Sequence, residues 1–433
     1  MQRKKIDLLL HCQWLIPIIP EDLILENHCI AIDSGKIVDL LPISSALQQF
    51  DATEEVELNR HIVMPGLINT HSYSGMRLLR NQDADCTDAT LLDSYIRSTR
   101  IQPTNPDFIQ DSLSLAAAET IKTGTTCFTD LYPCNNLALD VLRNLGTRSQ
   151  LSFMLSESET AFGKNAEDYI HQGLKLYDDV GNHSHINIAC TAYDANNISD
   201  SVMQRLAIFA NELDLPIQFN CNGLADQNGS ERPLERLFNL GLLRPETQLI
   251  VNEKLCPEDI ALIEKTNSKI IICAQNLNAS SDNTQWIAEL LQADINVSLG
   301  SAEATGNHFN LFAELKPLTQ IIKGQSNSIN STQAAHLALR MATINGAKTL
   351  GWNNQIGSIE MGKFADIIAV EIDSIAFQPL YNPAVQLTHS QDANQVTHSW
   401  VAGKSILKDR KLQNLNERQL IQSAKDWIAK LAV

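Results

Sequence analysis

The run Val63-Met64-Pro65-Gly66-Leu67-Ile68-Asn69-Thr70 reads as a strand end, a Pro-Gly turn and a second short apolar strand, and it closes on the polar tip His71-Ser72-Tyr73. A tip where a buried strand stops is where barrel enzymes place chemistry. His71 offers an imidazole for a metal ion or a proton. Two histidines and an acid can hold zinc, and His71, Glu253, Glu303 and His308 are the residues here that could make such a set. His71, Glu253 and Glu303 are also the candidates for metal-independent acid–base work. His183-Ser184-His185 has the spacing that puts two imidazoles on one strand face, but it precedes an apolar strand and reads as a solvated loop at the wrong end of it. Cys221 follows Asn220, and alternation turns its thiol away from the face of Asn220 and Asn222, so it reads as a packing thiol. Asp130, after Gly124-Thr125-Thr126, reads as a structural acceptor at a strand end. Trp286 and Trp427 lie at helical spacing and read as core or subunit contact.

Composition narrows the classes of function. With 33 basic and 50 acidic side chains the net charge is −17. Neutralising a phosphate backbone needs clustered Lys and Arg, so a sequence-independent nucleic-acid binder is excluded. Hydrophobic residues make up 44% and charged residues 19% of the 433 positions, the balance of a folded globular protein. Nine cysteines with no Cys-x-x-Cys fit reduced thiols, and a cytoplasmic setting is expected. The apolar run near the start, Leu8-Leu9-Leu10, is too short for a signal peptide or a membrane span, so no membrane partner is expected.

The elements that must position these residues follow from periodicity. Residues 6–62 alternate in short apolar bursts, with Asp33-Ser34-Gly35-Lys36 as a hairpin turn. From Val63 to about Leu350 strands alternate with amphipathic helices. Four units stand out: helix 111–122 with strand 125–130, helix 201–213 with strand 216–221, helix 257–266 with strand 269–273, and helix 284–293 with strand 296–300. That alternation implies a parallel sheet closed into a barrel. Strands return after Gly351: Ile356–Val370 reads strand, turn, strand, and Trp400–Leu407 reads as a hairpin turning at Gly403. Leu420, Ile421, Ala424, Trp427, Ile428 and Leu431 mark a terminal amphipathic helix.

Met64-Pro65-Gly66-Leu67-Ile68-Asn69-Thr70-His71, Gly124-Thr125-Thr126-Cys127-Phe128-Thr129-Asp130, Ala342-Thr343-Ile344-Asn345-Gly346-Ala347 and the Ile356–Asp366 segment together resemble the amidohydrolase superfamily, in the branch of cytosine deaminases, chlorohydrolases and adenosyl deaminases. The resemblance covers almost the whole chain. It implies an α/β fold: a (β/α)8 TIM barrel over residues 63–354, a small discontinuous β-sandwich from residues 1–62 and 355–412, and a C-terminal helix over 413–433. It implies homodimers and a divalent metal such as zinc or iron.

The family holds that metal with His-x-His on the first barrel strand, one His each on the fifth and sixth, an acid after the fifth, and an Asp on the eighth. Here the resemblance puts Tyr73 at the second histidine, Asn220 at the fifth-strand histidine, Gly223 at the acid, Asn252 at the sixth-strand histidine and Ser301 at the aspartate. A substrate-side histidine after the fourth strand matches Tyr193. Asn and Ser are poor ligands for zinc or ferrous iron. The expectation is therefore a deaminase-like protein with no resident metal and no metal-dependent deamination. Its pocket, drawn from His71, Tyr73, Tyr193, Asn220, Gly223, Asn252, Ser301 and His308, would take a planar purine- or pyrimidine-like ligand. Tyr73 and Tyr193 either stack on such a ring or fill volume; both readings stand. Two alternatives remain: an active C–N hydrolase with a rearranged or metal-independent site, and a structural subunit that partners an active relative.

Overall fold

The computed structural model describes residues 3–80, 105–131, 135–159, 163–192, 198–221, 232–277, 281–301, 309–325, 329–389 and 393–431. Strands β1 (Lys4–Leu15), β2 (Leu25–Asp33), β3 (Lys36–Pro42) and β4 (Phe50–Pro65) precede eight short strands. These are β5 (Leu67–Asn69), β6 (Thr125–Asp130), β7 (Arg148–Leu155), β8 (Ile186–Ala192), β9 (Ile217–Asn220), β10 (Thr247–Ile250), β11 (Lys269–Ile272) and β12 (Val297–Leu299). Strands β13 (Ile367–Glu371), β14 (Val396–Val401), β15 (Lys404–Lys408) and β16 (Lys411–Leu412) follow. Internal contacts divide the chain into two units, residues 1–69, 120–127 and 310–414, and residues 70–119, 128–309 and 415–433.

One eight-stranded sheet runs β16-β15-β14-β13-β4-β1-β2-β3, so its strands come from both ends of the chain. Alternation along β1 buries both of its faces. Leu8, Leu10 and Cys12 pack with Ile30, Ile32, Ile367 and Trp400, while Leu9 packs with Cys29, Ala31 and Ala46. Ala46 belongs to the helix Ile43–Gln49, which sequence periodicity did not reveal. The hairpin at Asp33–Lys36 forms as expected: Ser34 and Gly35 both take positive φ, 52° and 77°, the twist that joins tightly paired antiparallel strands. The Gly403 turn between β14 and β15 uses the same device, with Ala402 at 46° and Gly403 at 72°.

Only the last four residues of Ile356–Val370 belong to a strand, β13, and this corrects the expected strand–turn–strand. Backbone groups before Asp366 go to other partners. Ile359 N donates to Pro17 O, Gly362 N to Ile37 O, Phe364 N to Gln355 O and Ala365 N to Gly35 O. Distant chain thus satisfies these donors, and no ladder is left to form.

The second sheet is parallel, in the order β12-β11-β10-β9-β8-β7-β6-β5. It closes where Thr70, just after β5, donates its N–H to Leu299 O of β12 at 3.0 Å. A closed parallel sheet with helices between its strands is a (β/α)8 barrel. Helix Pro106–Lys122 leads into β6, Asp200–Glu212 into β9, Pro257–Thr266 into β11 and Ser281–Gln292 into β12, all at the expected places. The stops are local: Asn267 ends Pro257–Thr266 in the left-handed region. Trp286 is buried in the core. The last helix, Glu417–Leu431, is anchored by Trp427, which meets Phe108 edge-on at 5.1 Å and donates Nε1–H to Asp111 Oδ2 at 2.8 Å. No described helix is long and apolar enough to cross a membrane, and the seven described cysteines are free thiols.

One pH dependence arises in the first sheet. His61 on β4 and His398 on β14 lie with ring centroids 6.0 Å apart, and Thr397 Oγ1 bonds to both rings. Burial, then the neighbouring His398 and Arg60, push the His61 pKa down from 6.5 to about 4, while Asp409 opposes the fall. A depressed histidine binds fewer protons folded than unfolded, so its contribution is complete above about pH 6.5 and is lost as pH falls toward about 4. The urea midpoint is expected to drop across that window by the equivalent of about 1–3 kcal/mol, and His61→Gln to remove much of the drop. Equal pH slopes in both proteins would count against it.

Candidate active site at the barrel mouth

His71, Tyr73, Asn220, Asn252 and Ser301 lie at or just beyond the C-terminal ends of β5, β9, β10 and β12, all on one rim of the barrel. His71 follows β5 and is buried, 2% exposed. Its backbone carbonyl accepts the Ser301 N–H at 3.1 Å. Gly300 beside it has no room for a side chain, since a Cβ there would lie 2.5 Å from His71 Cβ. Burial pushes the His71 imidazole down to about 3, so the ring is neutral at physiological pH.

Tyr73 takes the place that the resemblance gives to a second imidazole. Its ring meets His71 edge-on at 5.0 Å and 75°, and packs against Leu131, Ile250 and Ile271. Edge-to-face aromatic contact adds about 0.5–1.5 kcal/mol beyond the area buried. Asn220 is the half-buried last residue of β9, in register with Ile250 of β10. Asn252, two residues past Ile250, turns its Oδ1 onto the Cys273 N–H at 2.8 Å. Ser301 is buried and Glu253 is exposed. Tyr193, Gly223, Glu303 and His308 lie outside the described residues.

The remaining sequence candidates take different places. Burial lifts the Cys221 thiol to about 12, which leaves essentially no thiolate at neutral pH, in keeping with a packing role. His183 and His185 precede β8, at the opposite end of the barrel from His71. Asp130 is buried at the C-terminal end of β6, on the same rim as His71, and the next residue, Leu131, donates its N–H to Ser72 O at 3.2 Å.

The donor set can be tested against a divalent metal. Zinc and ferrous iron want imidazole, thiolate or carboxylate. The rim offers one buried imidazole, the buried carboxylate of Asp130 at the end of β6, two neutral amides, one hydroxyl and a phenol ring packed on aliphatic side chains, with the Glu253 carboxylate exposed. One of the amide oxygens is engaged by a backbone N–H. Among the described residues no three His, Cys, Asp or Glu side chains converge on a common point for a metal. These residues do not fit the ion.

Two features of this unit were not foreseen. Arg77, 2% exposed, pairs with Glu119 at 2.6 Å and lies over the Phe309 ring at 4.9 Å. Glu119 Oε1 also accepts the Phe309 N–H at 3.2 Å. Beneath the rim, the wholly buried Gln150, Gln218 and Gln248 form an amide layer inside the barrel. The alternation that marked Asn220 as inward-facing marks Gln218 as well, and that was the available signal.

Residues 62–406 match the model of the amidohydrolase family. The chain belongs to the amidohydrolase family. Among its amidohydrolase relatives are proteins named 5-methylthioadenosine/S-adenosylhomocysteine deaminase from Teredinibacter turnerae and Saccharophagus degradans. Each is 33% identical, over 98% of this chain and 98% or 97% of the relative. An adenosine deaminase from Xanthomonas campestris, solved with bound zinc, is 27% identical over all of both chains with a TM-score of 0.90. An atrazine chlorohydrolase from Arthrobacter aurescens, 19% identical over 98% of this chain and all of its own, superposes with a TM-score of 0.82 and shares the fold.

Proposed function

We propose that this amidohydrolase-family protein is a deaminase relative that works without the catalytic metal, and that its barrel mouth binds a planar purine- or pyrimidine-type ligand without deaminating it. The observation that carries the reading is Tyr73: a phenol ring, packed on Leu131, Ile250 and Ile271 and against His71, stands where a second ligating imidazole would be needed. Hydrolytic deamination needs an activated water. A bound metal lowers the pKa of water from about 15.7 to near 7, and nothing else described at the rim supplies such an effect. The names of the relatives point to adenosine-type ligands, and an aromatic ring with neutral amides suits a heteroaromatic base.

Calorimetric titration with 5-methylthioadenosine and an ammonia-release assay test both halves. Binding in the range of about 1–100 μM is expected, with ammonia at the buffer background whether or not zinc is supplied. Turnover that a chelator abolishes would overturn the first half. Failure to bind purine nucleosides, purines and pyrimidines alike would overturn the second.

A further inference from the structure

Barrel interiors are ordinarily filled by branched aliphatic side chains, yet here three glutamines with no exposed surface meet across the barrel axis. Gln150 on β7 and Gln248 on β10 exchange two amide hydrogen bonds, Nε2 to Oε1 at 2.9 Å and 3.1 Å. Gln218 on β9 donates through Nε2 to Gln248 Oε1 at 3.1 Å and to the backbone carbonyl of Thr70 at 3.1 Å. In the sheet order β7 and β10 are not neighbours, and neither are β9 and β5. The Gln150–Gln248 and Gln218–Thr70 bonds therefore add to the ladder and cross the barrel, while Gln218–Gln248 joins the paired strands β9 and β10. Gln218 Oε1, in contrast, is buried with no hydrogen-bond partner among the described residues. An acceptor left so costs about 1–3 kcal/mol, a poor exchange if the side chain served only to fill space. Its contribution lies in the two protons of Nε2.

The Thr70 carbonyl belongs to the peptide unit that carries the His71 nitrogen. That unit is planar, so fixing the oxygen fixes the direction in which His71 leaves it. From β12 the same stretch is held by Leu299 O, which accepts from Thr70 N at 3.0 Å and Oγ1 at 2.7 Å, and by Ser301 N on His71 O. Gln218 supplies the hold from the far side. Two residues further along the same strand face stands Asn220.

We propose that Gln218 is a positioning residue of the barrel mouth: its amide clasps the Thr70–His71 peptide across the barrel and so fixes the His71 and Tyr73 rings opposite Asn220. The affinity part of the test rests on the ligand reading above; the spectroscopic part needs no ligand.

The full chain is labelled with 13C,15N-histidine, and the His71 ring signal is assigned by its loss in His71→Gln. Gln218→Met keeps the volume and removes both donors. Gln150→Met removes two equally buried bonds but touches nothing on Thr70. The His71 ring signal is expected to move or broaden in Gln218→Met and to stay in place in Gln150→Met, although both lose stability. Affinity for 5-methylthioadenosine should fall about tenfold in the first alone, the equivalent of one buried hydrogen bond. Gln218→Asn, which keeps an amide but withdraws it by one methylene, gives the same readout should Gln218→Met not fold. A His71 signal unmoved in a folded Gln218 variant, or moved equally in Gln150→Met, overturns the clasp. Absence of nucleoside binding by the natural chain, with the signal behaving as described, overturns only the ligand reading.

Discussion

Replacing Tyr73, Asn220 and Asn252 by histidine and Ser301 by aspartate is expected to give a chain that takes up about one zinc ion, where the natural chain takes up none. The four positions stand at or just beyond the ends of β5, β9, β10 and β12, on a barrel whose strands and Gly300–His71 packing are already in place. Without metal the variant should be less stable than the natural chain. Tyr73→His strips a ring from Leu131, Ile250 and Ile271, Asn252→His gives up the bond to the Cys273 N–H, and Ser301→Asp puts a carboxyl at a buried site. Together these changes cost about 2–5 kcal/mol. Zinc should return about 4 kcal/mol when it is present at a thousand times its dissociation constant. Thermal melts with and without zinc read both effects. A natural chain that zinc stabilises as strongly as the variant would show that the present residues already hold a metal.

The second large effect lies at Arg77. Glu119→Ala leaves the buried guanidinium without this carboxylate and also withdraws the acceptor of the Phe309 N–H. Breaking a buried pair from one side typically costs 3–5 kcal/mol, and a loss of about that size is expected in urea unfolding. Arg77→Met combined with Glu119→Leu removes both charges and keeps most of the apolar volume over Phe309. The double variant should recover at least half of the loss, because the penalty comes mainly from the stranded charge. Equal losses in the two proteins would instead make the Phe309 backbone bond the dominant contribution.

What could be read in the sequence was what short-range rules govern. The turn at Ser34-Gly35 was legible because two residues must take positive φ there. The helix–strand units around β6, β9, β11 and β12 were legible because each has its own period and stop. The residue types at 71, 73, 220, 252 and 301 were read directly, and their joint placement on one rim follows from their positions at strand ends. What was not legible depends on distant chain. Ile356–Asp366 looked like strand and turn, but its donors find Pro17, Gly35 and Ile37. The pairing of Gln150 with Gln248 spans 98 positions, and that of Gln218 with Thr70 spans 148. Strand alternation shows that such glutamines face inward, but only barrel closure decides which ones meet. Tyr73 is the same case: its position was plain, and its packing on Leu131, Ile250 and Ile271 needed the register of three other strands.

The measurement that bears most directly on the central claim is metal content per chain. The natural protein would be expressed with zinc, iron and manganese available, purified without chelator or affinity tag, and assayed by elemental mass spectrometry. The expected content is below about 0.1 metal per chain, because among the described residues no three His, Cys, Asp or Glu side chains come together to hold these ions through purification. A content near one per chain would contradict the account and return the protein to the metal-dependent hydrolases.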